Sequence, residues 1–154
     1  MKLLIIESLA IDSVSNDMVV VLRVEEDDDI IPIWIGNHEA ISIALGLSNF
    51  EPPRPLTHDL IVNLITGLEA DIERVVITAI QDNTYYALLY VQKDGDLIVV
   101  DSRPSDAIAL AVRTGAPIFM KDEIPTISSD PNDEKRRKLE KKLRRINPEQ
   151  LLGG

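Results

Sequence analysis

The chain has 154 residues, no cysteine, 45% hydrophobic and 27% charged residues, and a formal net charge of −10. That composition suits one globular domain with a sizeable core. It excludes disulfide scaffolds, zinc–thiolate sites, iron–sulfur clusters and cysteine nucleophiles. The charge is uneven: residues 131–154 hold eight Lys/Arg against four Asp/Glu, a net +4, which leaves −14 on residues 1–130. An acidic body repels phosphodiesters unless cations or local basic groups intervene, and few aromatics give a poor base-stacking surface.

The N-terminus, Met1 to Glu7, is apolar only briefly before a carboxylate and lacks the pattern of a signal peptide. No stretch reaches about 18 uncharged apolar residues. The expectation is a cytoplasmic protein with no membrane span.

Residues 3–11 and 18–24 read as strands, the second rich in β-branched residues after the turn Ser15-Asn16-Asp17. The acidic run 25–29 reads as a solvated hairpin tip, because adjacent carboxylates in a turn do not converge on one point. A third strand follows near residues 30–35, with Trp34 expected in the core or at its edge. Residues 38–49 read as a helix, and Pro52-Pro53-Arg54-Pro55 ends it. Thr57 is the expected N-cap of a second helix whose apolar stripe is Leu60, Ile61, Leu64, Ile65 and Leu68.

Three strands come next, at about 73–81, 84–92 and 97–101, joined by turn sequences into a β-meander. Pro104 opens a third helix, 104–114. Its run from Ala107 to Val112 is apolar on almost every side, which implies burial, and Gly115 stops it. Residues 117–120 form a last short strand. From Asp130 the tail reads as a basic helix with a narrow stripe of Leu139, Leu143 and Ile146. That stripe suits docking on the body or on another subunit, or else the tail is a basic arm that draws in nucleic acid. Strands, two helices, a meander and a buried helix give an α+β fold with a mixed, largely antiparallel sheet. The expected division is a domain over 1–124 and a linker with a basic helical tail over 125–154.

No Gly-rich phosphate loop, nucleophile elbow or His-Glu-x-x-His occurs, and two histidines cannot make a His-rich metal site. Two helix starts stand out instead: Arg54-Pro55-Leu56-Thr57-His58-Asp59-Leu60 and Asp101-Ser102-Arg103-Pro104-Ser105-Asp106. Singly, these residues act as caps and dipole partners. Together, Asp59, Asp101 and Asp106 are hard oxygen ligands for Mg²⁺ or Mn²⁺, with Glu39 as a fourth. Arg54 and Arg103 can hold phosphate, and His58 can serve as acid or base. With Asp59 and Asp106, His58 makes up the candidate catalytic set. These are the parts of a metal-assisted phosphodiesterase. The rival reading is a non-catalytic regulatory module that binds a nucleotide, an anion or a protein partner through the same helix starts.

The motifs Ile33-Trp34-Ile35-Gly36 with Glu39-Ala40, Arg54 to Leu60, Asp82 to Ala87, Asp101 to Ala111 and Ala116 to Phe119 occur in that order. In this the chain resembles the bifunctional nuclease domain family of bacteria, archaea and plants, over roughly residues 1–124. The resemblance implies nuclease activity on DNA and RNA, a nucleic-acid partner and a similar α+β fold. The subunit count is left open, with a homo-oligomer among the expectations.

Overall fold

The structure is a computed structural model and describes residues 1–153. Among these residues, β1 (Lys2–Asp12), β2 (Met18–Val24) and β3 (Ile30–Ile35) lead into α1 (Asn37–Leu47) and α2 (Thr57–Gly67). The meander β4 (Asp71–Gln81), β5 (Thr84–Lys93) and β6 (Asp96–Ser102) follows, then α3 (Pro104–Thr114) and β7 (Ile118–Met120). The tail supplies α4 (Glu134–Lys142), β8 (Leu143–Ile146) and the single turn α5 (Pro148–Leu151). One sheet runs β3-β2-β1-β7-β4-β5-β6, with β8 paired to β1. Its pairings are antiparallel except for β4 with β7, so the α+β architecture with a mixed, mostly antiparallel sheet stands as expected.

Strand β2 is buried on both faces, and the reason is the layering. Met18, Val20, Leu22 and Val24 face the main core, which also takes in Ala40, Ile43 and Ala44 of α1 and residues 107–111 of α3. Val19 and Val21 face the other way and meet Leu139 and Leu143 of the tail. Helix α3 is the centre of the main layer. Residues 107–109 are fully buried, as its all-round apolar sequence requires, and Gly115 closes it with φ at 77°. The acidic run 25–29 is a hairpin tip, with Arg23 bonded to Asp28 at 2.8 Å.

Three details depart from the sequence reading. Trp34 is 43% exposed on the edge strand β3, where its indole N–H donates to Asp12 Oδ2 at 3.0 Å. An amphipathic ring with a polar tip suits such a margin better than the dry core. Helix α2 begins one residue earlier than a Thr57 cap would place it: Leu56 is the cap, and its N–H donates to Asp59 Oδ2 at 3.0 Å. Of the expected α2 stripe, Ile61 and Ile65 pack on the core with Val62, while Leu60, Leu64 and Leu68 are 51–62% exposed.

The tail also changes form part-way. Its helix ends at Lys142, Leu143 turns to extended backbone, and residues 143–146 pair with residues 9–12 of β1. Leu139, Leu143 and Ile146 are all buried, so the tail docks on its own body. The helical reading failed beyond Lys142 because β1 has a free edge there. Strand β7 covers only Lys2–Leu4, and an unpaired edge accepts a passing strand.

Candidate functional site

The N-terminal ends of α2 and α3 meet beside the middle of α1. His58, in the first turn of α2, reaches Asp106 in the first turn of α3, with Nε2 2.8 Å from Oδ1. Its Nδ1 lies 2.6 Å from the Ser42 Oγ of α1. An ionised carboxylate only accepts hydrogen bonds, so Nε2 carries the proton and donates to Asp106. In the neutral ring the Nδ1 lone pair then accepts the Ser42 hydroxyl. The result is a hydroxyl–imidazole–carboxylate chain.

Arg103, the cap residue of α3, closes the other end. Its Nε donates to Asp106 Oδ2 at 2.8 Å and its Nη2 to Oδ1 at 3.1 Å, a bidentate clasp. Its Nη1 reaches Glu39 Oε2 at 3.5 Å. The Arg103 side chain remains 64% exposed, whereas the His58 side chain is 12% exposed. Burial pushes the Asp106 carboxyl upward, but the hydrogen bonds from Arg103 and His58 outweigh it and hold the acid below the usual carboxylate range. The same bond to Asp106 raises Arg103 further, so it stays a cation.

Asp59 lies on a second side of α2. Its Oδ1 accepts from the Arg113 Nε of α3 at 2.9 Å, and its Oδ2 accepts the Leu56 N–H. Burial raises this acid too, and the Leu56 and Arg113 hydrogen bonds reverse the shift to leave it lowered. Arg113, only 9% exposed at its side chain, also donates to the Ala109 carbonyl at 2.8 Å and so fixes α2 against α3.

The residues expected from sequence therefore divide. His58, Arg103, Asp106 and Glu39 come together. Asp59 belongs to a neighbouring ion pair. Asp101 is exposed on β6, paired with Leu88 on the sheet face opposite the one that Leu89 and the helices bury. Arg54 is exposed in the loop before α2 and has no side-chain hydrogen bond or ion pair among the described residues. No three Asp, Glu or His side chains among the described residues gather as a metal site. The donors do not fit the expected Mg²⁺ or Mn²⁺ centre, because Asp106 and Asp59 are each committed to an arginine and Asp101 faces away.

Sequence reasoning missed Ser42 and Arg113. Ser42 is a lone hydroxyl within the apolar run Ala40 to Leu45, and Arg113 is the one charge in the last turn of α3, directly after the apolar run 107–112. Each was a polar interruption of a buried pattern, which is a signal that a partner waits across the interface.

Residues 20–131 match the bifunctional nuclease domain. The chain belongs to that family. An uncharacterized protein of Mycobacterium tuberculosis is 41% identical over 116 residues, which cover 75% of this chain and 69% of that protein. Bifunctional nuclease 1 of Oryza sativa subsp. japonica is 31% identical over 109 residues, 68% of this chain and 33% of its own length. Bifunctional nuclease 2 of Arabidopsis thaliana is 28% identical over 103 residues, 64% of this chain and 31% of its own. The matched segment of this bifunctional nuclease domain contains Ser42, His58, Arg103 and Asp106, and leaves out α4 and β8. No helix among the described residues is long and apolar enough to cross a membrane.

Proposed function

We propose that the chain is a nuclease that cleaves phosphodiester bonds of DNA, RNA or both at the junction of α1, α2 and α3. The observation that carries this reading is the Ser42–His58–Asp106 chain, clasped by an exposed arginine inside the segment that matches the family. His58 is the acid–base residue. Asp106 accepts the hydrogen bond from Nε2 and orients the ring. The Nδ1 lone pair rests on the Ser42 hydroxyl, so proton transfer to His58 activates that hydroxyl, or a water that takes its place. Arg103 keeps an exposed guanidinium beside the site and is the phosphate-binding group. Its cation offsets part of the charge that an acidic body turns toward a phosphodiester.

The test is cleavage of single- and double-stranded DNA and RNA by highly purified protein, beside His58→Ala, Asp106→Asn and Ser42→Ala. General acid–base catalysis contributes about 10²–10⁴-fold, so His58→Ala should lose at least about 100-fold while remaining folded. Undiminished cleavage by folded His58→Ala would remove the site from consideration. Ser42→Ala separates the two nucleophiles: a loss as large as that of His58→Ala assigns the hydroxyl, and retained activity assigns water. An EDTA arm with Mg²⁺ or Mn²⁺ added back separates cleavage by the chain's own residues from metal-assisted cleavage.

A second reading, the non-catalytic module, is favoured by one specific observation. Asp59 and Asp106 are already satisfied by Arg113 and Arg103, as structural acids are. Binding of nucleotide or nucleic acid with no cleavage by any preparation, metal-supplemented or not, would select it.

A further inference from the structure

We propose that β6 and the outer face of α2 form a two-fold interface with a second copy of this chain, by antiparallel pairing of the two β6 strands about Val99. Strand β6 ends the sheet, and among the described residues nothing pairs with its edge opposite β5. Such edges are normally protected by charges, proline, bulges or a covering element. Here four consecutive apolar residues, Leu97, Ile98, Val99 and Val100, are 42–50% exposed. On the helix side of the sheet, Leu60, Leu64 and Leu68 repeat every four residues along α2 and are also uncovered. Lys93, the last residue of β5, donates to the Leu68 carbonyl at 2.7 Å, which brings this leucine row up to the start of β6.

The register follows from the turn. Asp94 and Gly95, at φ 52° and 81°, make a two-residue hairpin turn, and Lys93 pairs with Asp96 across it. In such a hairpin the flanking pair is hydrogen-bonded, and hydrogen-bonded and open pairs then alternate. The amides of Asp96, Ile98 and Val100 therefore serve β5, while those of Leu97, Val99 and Asp101 face the open edge. Two copies related by a two-fold axis through Val99 set Val99 against Val99 and Leu97 against Asp101, so every outward amide meets an outward carbonyl. Ile98 then lies opposite Val100 of the second copy, and both face the side of the sheet that carries α2. A register centred between Ile98 and Val99 would instead oppose Asp96 to Asp101, a like-charge pair. It would also put the two helix layers on opposite faces.

The five apolar side chains on the α2 side present on the order of 450 Å² per copy, so pairing hides about 900 Å² of side chain in total, to which the paired β6 backbones add; this is the size of a weak, concentration-dependent dimer. Asp94, Asp96 and Asp101 flank the patch, so charge repulsion between copies is screened as salt rises.

Sedimentation velocity on the full chain from about 1 to 100 μM, at low and high salt, tests the proposal, with Val99→Pro and Leu64→Glu beside it. Val99→Pro removes an outward amide without breaking a bond to β5, and Leu64→Glu charges an exposed position. The expected result is a dimer that tightens with salt and dissociates at least tenfold more readily in either variant, with circular dichroism unchanged. A wild-type chain that is monomeric at 100 μM would overturn the interface. So would a dimer whose affinity neither variant alters.

Discussion

At the scale of single residues, the site is held by acids kept ionised by their neighbours, and pH reads this directly. Asp59 and Asp106 have folded-state acidities below the usual carboxylate range. Groups depressed in this way stabilise the fold above their unfolded values, and the contribution is lost as pH falls through the folded ones. Stability should therefore hold down to about pH 4 and drop below it. Asp106→Asn should flatten that drop, which urea melts at pH 3 to 6 would register; an unchanged slope would show that this acid is not linked to folding. Arg113 gives a second expectation. Arg113→Ala leaves Asp59 without its partner at a half-buried position, and the loss should be about 1–3 kcal/mol in chemical denaturation, with α2 loosened first. The sequence singled out Arg103, Asp106 and His58 because their types and helix-start positions are local facts. It did not place Asp101, since the side of a sheet on which a strand residue falls depends on pairing parity with Leu88. Nor did it separate Asp59 from Asp106, because that division depends on Arg113, which lies 54 residues from Asp59.

At the scale of elements, α1, α2 and α3 hold the site by close approach. A Cβ on Gly46 of α1 would run into the Val112 side chain of α3. Gly46→Val should thus force the two helices apart and cost about 1–3 kcal/mol, and it should disturb the Ser42–His58 bond one turn away. A melting temperature equal to that of wild type would show that the crossing can give. Helix α3 was the most legible element. Its proline start, all-round apolar run and glycine stop each have one physical meaning, and the structure buries Pro104, Ser105 and residues 107–111. Ala109→Asp should be strongly destabilising for the same reason, since a carboxylate at a fully buried position has no partner. Helix α2 was only half legible. Periodicity finds an apolar face, but a stripe with Ile61 and Ile65 on one flank and Leu60, Leu64 and Leu68 on the other does not say which flank its neighbours will cover.

At the scale of the whole molecule, the question is whether residues 131–154 are an arm or a part of the body. Charge argues for an arm, because Lys135, Arg137, Lys138, Lys141, Lys142 and Arg144 are exposed on an otherwise acidic protein. Packing argues for the body. Leu139 and Leu143 close the second core over β2, Ile146 joins the main core, and β8 fills the part of the β1 edge that β7 leaves open. Ion pairs bind the two together: Arg145 reaches both Glu140 and Glu7, at 2.6 and 3.2 Å. Every recognisable sequence motif lies before Asp130, which by itself would let a chain ending there fold. The buried side chains lead to another expectation. Each fully buried leucine or isoleucine contributes about 1.5–3 kcal/mol, so removal of three forfeits roughly 4.5–9 kcal/mol before strand pairing is counted. Domains are stable by only about 5–15 kcal/mol in all. At about 2–4 °C per kcal/mol for a chain of this size, the shortened protein should melt at least about 10 °C lower, or not fold cooperatively. A calorimetric scan of the two chains decides this. An unchanged melting temperature would mean that the tail sits on a finished core and is free to act as an arm. Its removal would then weaken nucleic-acid binding most at low salt, where exposed lysines and arginines are least screened.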